Sequence, residues 1–143
     1  NRLALDGAHV IVADTQAQLA GEVVTEVQQA GGSAEVHELD VTEEGAAKAA
    51  VSAIVSAHGR LDGAFNNAGI AGPGVKLVDI EPSQWAQVLA VNLTGVFSCV
   101  QAEIAQMIQQ ESGGSVVNTA SSAVWWPYRT RPPTTLQSTV WWA

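Results

Sequence analysis

A single cysteine, Cys99, in 143 residues excludes an internal disulfide, and a reducing cytoplasm is the default setting for such a chain. Basic residues are scarce: six Lys and Arg against fourteen Asp and Glu leave a net charge of -8. That surface repels phosphate backbones and anionic bilayers, which argues against nucleic-acid and membrane partners. No apolar run reads as long enough to cross a bilayer, and no basic start leads into an apolar stretch as in a signal peptide. His9, His37 and His58 stand far apart without ligand spacing, so no metal site is expected. Internal repeats are absent. What the chain does have is a 47% apolar and 14% charged composition, which fits one globular domain at this length.

Apolar strands alternate with helical periodicity. Residues 1–5 read as the last turn of a helix stopped by Asp6 and Gly7. Residues 8–14 form a nearly continuous apolar strand, as strands covered on both faces do. Val23, Val24 and Val27 recur at helical spacing before Gly31 and Gly32, and residues 34–39 make a second strand. Thr42 is placed to cap a helix that runs to His58, with Glu43 and Glu44 near its positive end. A third strand begins near Leu61 and ends on Asn66, Asn67, Ala68 and Gly69. A Gly/Pro-rich loop, 70–79, then leads to Pro82 at the first position of a long helix. Trp85, Val88, Leu89, Val96, Val100, Ile104, Met107 and Ile108 predict its buried stripe. Residues 115–120 form another strand. Strand, helix and strand with short links predict an α/β fold with a right-handed, parallel sheet. Polar groups at the carboxyl ends of its strands face the crevice where ligands bind.

Asn66-Asn67-Ala68-Gly69 and Val91-Asn92-Leu93-Thr94-Gly95, correctly ordered with Asn118 and Ser121, resemble the short-chain dehydrogenase/reductase family of classical type. The resemblance implies a Rossmann-like doubly wound parallel sheet and hydride transfer between a nicotinamide and a secondary alcohol or ketone. It assigns cofactor contacts to Asp14, Asp40, Val41, Asn67, Ala68 and Gly69, and catalytic positions to Asn92 and Ser121. Asp14 would accept hydrogen bonds from the adenosine ribose and repel a 2′-phosphate, favouring NAD over NADP. Each residue also has a plainer reading: Asp14 or Asp40 as a helix cap, Asn92 as a core amide, Ser121 as a turn serine, and Cys99 as packing. The family is often tetrameric or dimeric, so a homo-oligomer acting on a small molecule is implied.

Both ends depart from the pattern. The family's first strand and Gly-rich phosphate-binding turn would lie before Asn1, so the sheet is expected to be incomplete. The missing strand sits between the second and fourth, and its loss is expected to split the sheet and leave two unpaired edges. After Val124 come four of the five tryptophans, with Pro127, Pro132 and Pro133. Family spacing would place the acid/base Tyr and its Lys at Thr134 and Ser138. Tyr128 lies too close to Ser121 to replace them. The tail is compatible with an out-of-frame reading, since Trp-Trp-Pro becomes Val-Ala and Trp-Trp-Ala becomes Val-Gly in the alternate frame. Residues 1–124 are thus expected to form a partial dinucleotide-binding domain and 125–143 an aberrant tail. The chain resembles a fragment of an oxidoreductase with negligible turnover of its own. Alternatives are a non-catalytic binding module on the same fold, and a sugar-nucleotide epimerase, which the Asn-Asn-Ala-Gly stretch fits less well.

Overall fold

The computed structural model describes residues 2–120 and the backbone of 139–142. A short helix α1 (Arg2–Leu5) precedes strand β1 (His9–Asp14), helix α2 (Ala17–Gln29), strand β2 (Ser33–Glu38) and helix α3 (Ala46–His58). Strand β3 (Gly63–Asn66) follows, then a 3-10 turn at Leu77–Asp79 and helix α4 (Pro82–Leu89). A π-helical turn, Ala90–Gly95, joins α4 directly to α5 (Val96–Gln109), and β4 is Ser115–Asn118. The last described strand, β5, is Thr139–Trp142.

The sheet has the order β2-β1-β5-β3-β4. β1 pairs with β2, and β3 with β4, in parallel. Between them β5 runs antiparallel to both neighbours, with Ile11 and Ala64 each opposite Trp141. The expected split therefore does not occur. Two facing edges buried under helices would orphan a row of backbone donors and acceptors, and a third strand satisfies both rows at once. Thr, Val and Trp are suited to that place by their β-propensity.

Side-chain alternation along β1 divides the core. Val10 and Val12 pack with Ala4, Ala20, Val24 and Val27 on the α1/α2 face. Ile11 and Ala13 pack with Ala50, Val51, Ile54 and Cys99 on the α3/α5 face. Local chemistry sets the element ends. Gly59 ends α3 in the left-handed conformation at φ 84°, which glycine adopts without a Cβ penalty. Pro82 opens α4, and Glu81 N–H donates to Gln84 Oε1 at 3.0 Å in a capping box. Thr42 is not a cap, because α3 starts at Ala46 behind Gly45.

The long helix also turns a different side inward than its apolar pattern suggests. Gly95, Cys99, Glu103 and Met107, each four residues apart, are the buried row. Trp85, Ile104 and Ile108 of the expected stripe are exposed, as are Leu93 and Phe97. Gly95 and Cys99 let the start of this helix approach its neighbours closely, while Glu103 is held inside by Asn66 and Met107 fills the core beyond it. Pro82–Gln109 is, moreover, long and apolar enough by length and composition to cross a membrane, with a mean hydropathy of 1.5. That corrects the expectation that no such run exists, although here one side of the helix packs on the sheet and on α3.

Candidate active site

The carboxyl ends of β1, β2 and β3 open onto a cavity of about 330 Å³. Its lining includes Asp14, Asp40, Val41, Ala68 and Gly69, so five of the expected contact residues meet in one place. Ala13, Leu39 and Val91 add apolar wall, and Thr15, Gln16, Thr42 and Gln87 add polar groups. The parallel sheet explains the convergence: every strand of that set ends on the same edge, and its connecting loop falls outside it.

Each acid is held by the loop that follows it. Asp14 Oδ1 accepts the Gln16 N–H at 2.9 Å. Asp40 Oδ1 accepts the Thr42 N–H at 2.8 Å and the Thr42 hydroxyl at 2.7 Å. These Asx turns answer the capping alternative, since the residue before α2 is Gln16 and the residue before α3 is Gly45. Val41 is buried between the two polar residues. A Cβ placed on Gly95 would stand 2.6 Å from Val41 Cγ2, so the central helix approaches this wall as closely as a glycine permits.

A polar network ties β3 to β4 at the same edge. Asn66 is buried, and its Nδ2 donates to Glu103 Oε2 at 2.8 Å and to Asn118 Oδ1 at 3.1 Å. The Thr119 hydroxyl bonds Asn67 Oδ1, and the Thr119 N–H donates to the Asn66 carbonyl at 2.9 Å. Asn67 is thereby fixed by its neighbour strand rather than placed among the cavity residues. Asn92 lies in the π-helical turn, where its Oδ1 accepts the Ile70 N–H at 2.8 Å and its Nδ2 donates to the Ile70 carbonyl at 2.9 Å. That two-way clamp pins the loop after Gly69 to the central helix, and Asn92 is exposed rather than a core amide. Ser121 lies outside the described residues, as do Tyr128, Thr134 and Ser138.

The comparisons give this arrangement a family. The model of the short chain dehydrogenase family matches residues 1–132. The chain belongs to the short-chain dehydrogenase family. It is 41% identical over 121 residues to a 2,5-dichloro-2,5-cyclohexadiene-1,4-diol dehydrogenase of Sphingobium indicum, covering 85% of this chain and 47% of that relative. Among solved structures it resembles a metagenomic short-chain oxidoreductase in complex with NADP, at a TM-score of 0.81 and 31% identity. That match covers 89% of this chain and 57% of the other. NAD+-bound xylitol dehydrogenase gives a TM-score of 0.80 and 35% identity, with 85% and 46% covered. The chain thus spans about half the length of the relatives it matches.

Within this short-chain dehydrogenase, sequence reasoning missed Glu103, Thr119 and Ile70. Glu103 is fully buried yet sits at helical spacing between apolar residues, and nothing in its neighbours announces a buried carboxylate. Its charge also reaches Cys99. Burial foremost, and then the Glu103 charge, push the Cys99 thiol up to about 12, so Cys99 is packing rather than a nucleophile. A second correction concerns the histidines. His9 and His58 are not apart: their ring centroids lie 4.4 Å from each other, with Glu35 against both.

Proposed function

We propose that the cavity at the carboxyl edge binds the adenosine end of a nicotinamide dinucleotide, with NAD preferred over NADP. The observation that carries this reading is the gathering of Asp14, Asp40, Val41, Ala68 and Gly69 around one cavity of about 330 Å³. The donor set fits the group. A carboxylate at the end of β1 suits ribose hydroxyls, and the Ala13, Leu39 and Val41 wall suits a flat heterocycle. The bound dinucleotide would supply hydride chemistry at a secondary alcohol or ketone carbon, while protein groups bind and orient. Asp14 accepts from the ribose, and its charge opposes a 2′-phosphate. Asp40 and Val41 flank the base. Asn92 holds the Gly69–Ile70 backbone in the position the cofactor approaches, and Ser121 polarises the substrate oxygen.

With Thr134 and Ser138 at the positions of the family's Tyr and Lys, no side chain there can exchange the carbonyl proton. Turnover by this chain is therefore negligible. Resequencing the coding DNA checks the out-of-frame tail as its origin. The exposed apolar face with Trp85, Leu93, Phe97, Ile104 and Ile108 fits coverage by a second copy, in a dimer or tetramer. The cytoplasm is its setting.

The test is fluorescence titration of the 143-residue chain with NADH and with NADPH. NADH should bind saturably and more tightly. Asp14→Ala should weaken NADH by about tenfold or more, as the loss of hydrogen bonds to a charged group of about 1.5–3 kcal/mol requires, and should tighten NADPH relative to NADH by removing the repulsion of its 2′-phosphate. Equal binding of the two cofactors to the unaltered chain would refute the Asp14 assignment. No saturable binding of either would refute the site. Binding without oxidoreductase turnover fits the non-catalytic module, whereas clear turnover would overturn the argument from Thr134 and Ser138.

A further inference from the structure

Away from the cofactor edge, at the amino ends of the strands, three side chains from three elements converge. His9 opens β1 and Ser33 opens β2, and the two are register partners. Glu35 lies two residues beyond Ser33, so its side chain leaves the same face of the sheet. That face carries α3, whose last residue is His58. Glu35 Oε1 lies 3.1 Å from His58 Nε2, and Glu35 Oε2 lies 3.6 Å from His9 Nε2. One ligand atom from each of the three residues falls within 4.8 Å of the others.

His9 is the informative member. Its Nδ1 is 2.6 Å from Ser33 Oγ. Where Nδ1–H donates to that oxygen, Nε2 carries the lone pair and aims it toward Glu35. Nε2 is shielded from solvent and has no hydrogen-bond partner, because 3.6 Å is too long for one. An imidazole lone pair directed at a carboxylate is unfavourable unless something positive lies between them. A tetrahedral ion with ligands at about 2.0–2.1 Å spaces its ligand atoms about 3.3–3.4 Å apart. The 3.1 Å from His58 Nε2 and the 3.6 Å from His9 Nε2 lie near that spacing, each to a different oxygen of the Glu35 carboxylate. The Ser33 hydroxyl is placed as an outer-shell partner that orients a ligating ring. The carbonyl end of α3, at His58, adds a negative potential that favours a cation.

We propose that His9, Glu35 and His58 form a site for a divalent transition-metal ion of the zinc type, with water completing the coordination. Two imidazoles select such an ion over calcium or magnesium, which prefer all-oxygen sites. Bound there, the ion clips β1, β2 and the end of α3 together at the edge opposite the cofactor cavity. This assignment does not depend on the dehydrogenase reading.

The test uses the full 143-residue chain, stripped with EDTA, confirmed folded by circular dichroism and titrated calorimetrically with Zn2+ alone. One equivalent should bind saturably, and Co2+ in its place should give the visible d–d bands of a low-coordinate site. Glu35→Gln and His58→Gln should each weaken binding at least about tenfold, while His37→Gln should not. Ser33→Ala, which leaves all three ligands in place, should weaken it about 10–100-fold, a check that holds even if a ligand variant fails to fold. NADH affinity should be the same with and without Zn2+, so failure here and failure of the cofactor site are separately visible. Absence of saturable Zn2+ uptake by the folded chain would overturn the proposal. So would uptake undiminished in the His9→Gln, His58→Gln double variant, or unchanged by Ser33→Ala.

Discussion

Gly95→Ala probes how closely the central helix meets the cofactor wall. The added Cβ would stand 2.6 Å from Val41 Cγ2, 3.0 Å from Val41 Cβ and 3.1 Å from the Val41 carbonyl. Two effects compete. Alanine in place of a helical glycine gains about 0.8–1 kcal/mol of propensity. Overpacking of this kind costs about 1–3 kcal/mol, and the upper half of that range applies because the obstructing groups include backbone and a Cβ rather than a flexible chain end. The clash wins, for a net loss of about 1–2 kcal/mol. At this length each kcal/mol moves Tm by about 3–5 °C, so Gly95→Ala should melt several degrees lower by circular dichroism. Because Val41 lines the cavity, NADH affinity should fall with it. In a Val41→Ala background the nearest obstruction, Cγ2, is gone while the Cβ and carbonyl remain, so the cost should shrink but not vanish, which a double-mutant cycle reads as coupling. A Gly95→Ala protein as stable as the parent, or a penalty undiminished by Val41→Ala, would refute the reasoning.

Three further outcomes follow from the same geometry. Cys99, buried and with its thiol pushed up to about 12, should resist alkylation at pH 8 in the folded chain and react fully once urea unfolds it; prompt reaction in the folded chain would contradict its placement. Asn66→Ala removes a donor from the buried Glu103 carboxylate and should cost about 1–3 kcal/mol, seen as a lower urea midpoint, and an unchanged midpoint would count against the network. Glu35 has its carboxyl held below its ordinary value, first by the His58 hydrogen bond. A depressed carboxylate contributes stability above its unfolded pKa and loses it as pH falls through the folded value. In EDTA, Glu35→Gln should therefore be less stable than the parent at pH 6 and converge with it in acid; a gap that widens below pH 4 would show the sign to be wrong.

Local pattern in the chain accounts for most of the elements and for the edge at which they end. Period and punctuation are local: apolar runs, Gly31–Gly32, Pro82 and the polar residues after each run mark strand, helix and turn without knowledge of partners. A parallel sheet then brings Asp14, Asp40 and Gly69 to one cavity, because successive strands in that topology finish on one side. Which surfaces meet is settled by packing over long distances in the chain. The Thr139–Trp142 strand enters the middle of the sheet because two facing ladders needed a partner, a demand no local pattern expresses. The apolar stripe of the central helix misled because close approach favours small residues, so Gly95 and Cys99 face inward while Ile104 and Ile108 face out. Asn92 found the backbone of Ile70, and Glu103 found Asn66, through contacts 22 and 37 residues apart in the chain. His9, Glu35 and His58, separated by 26 and then 23 residues, became neighbours only because β1 and β2 start side by side and α3 ends above them. Spacing along the chain cannot report a metal-ligand cluster whose members come from three elements.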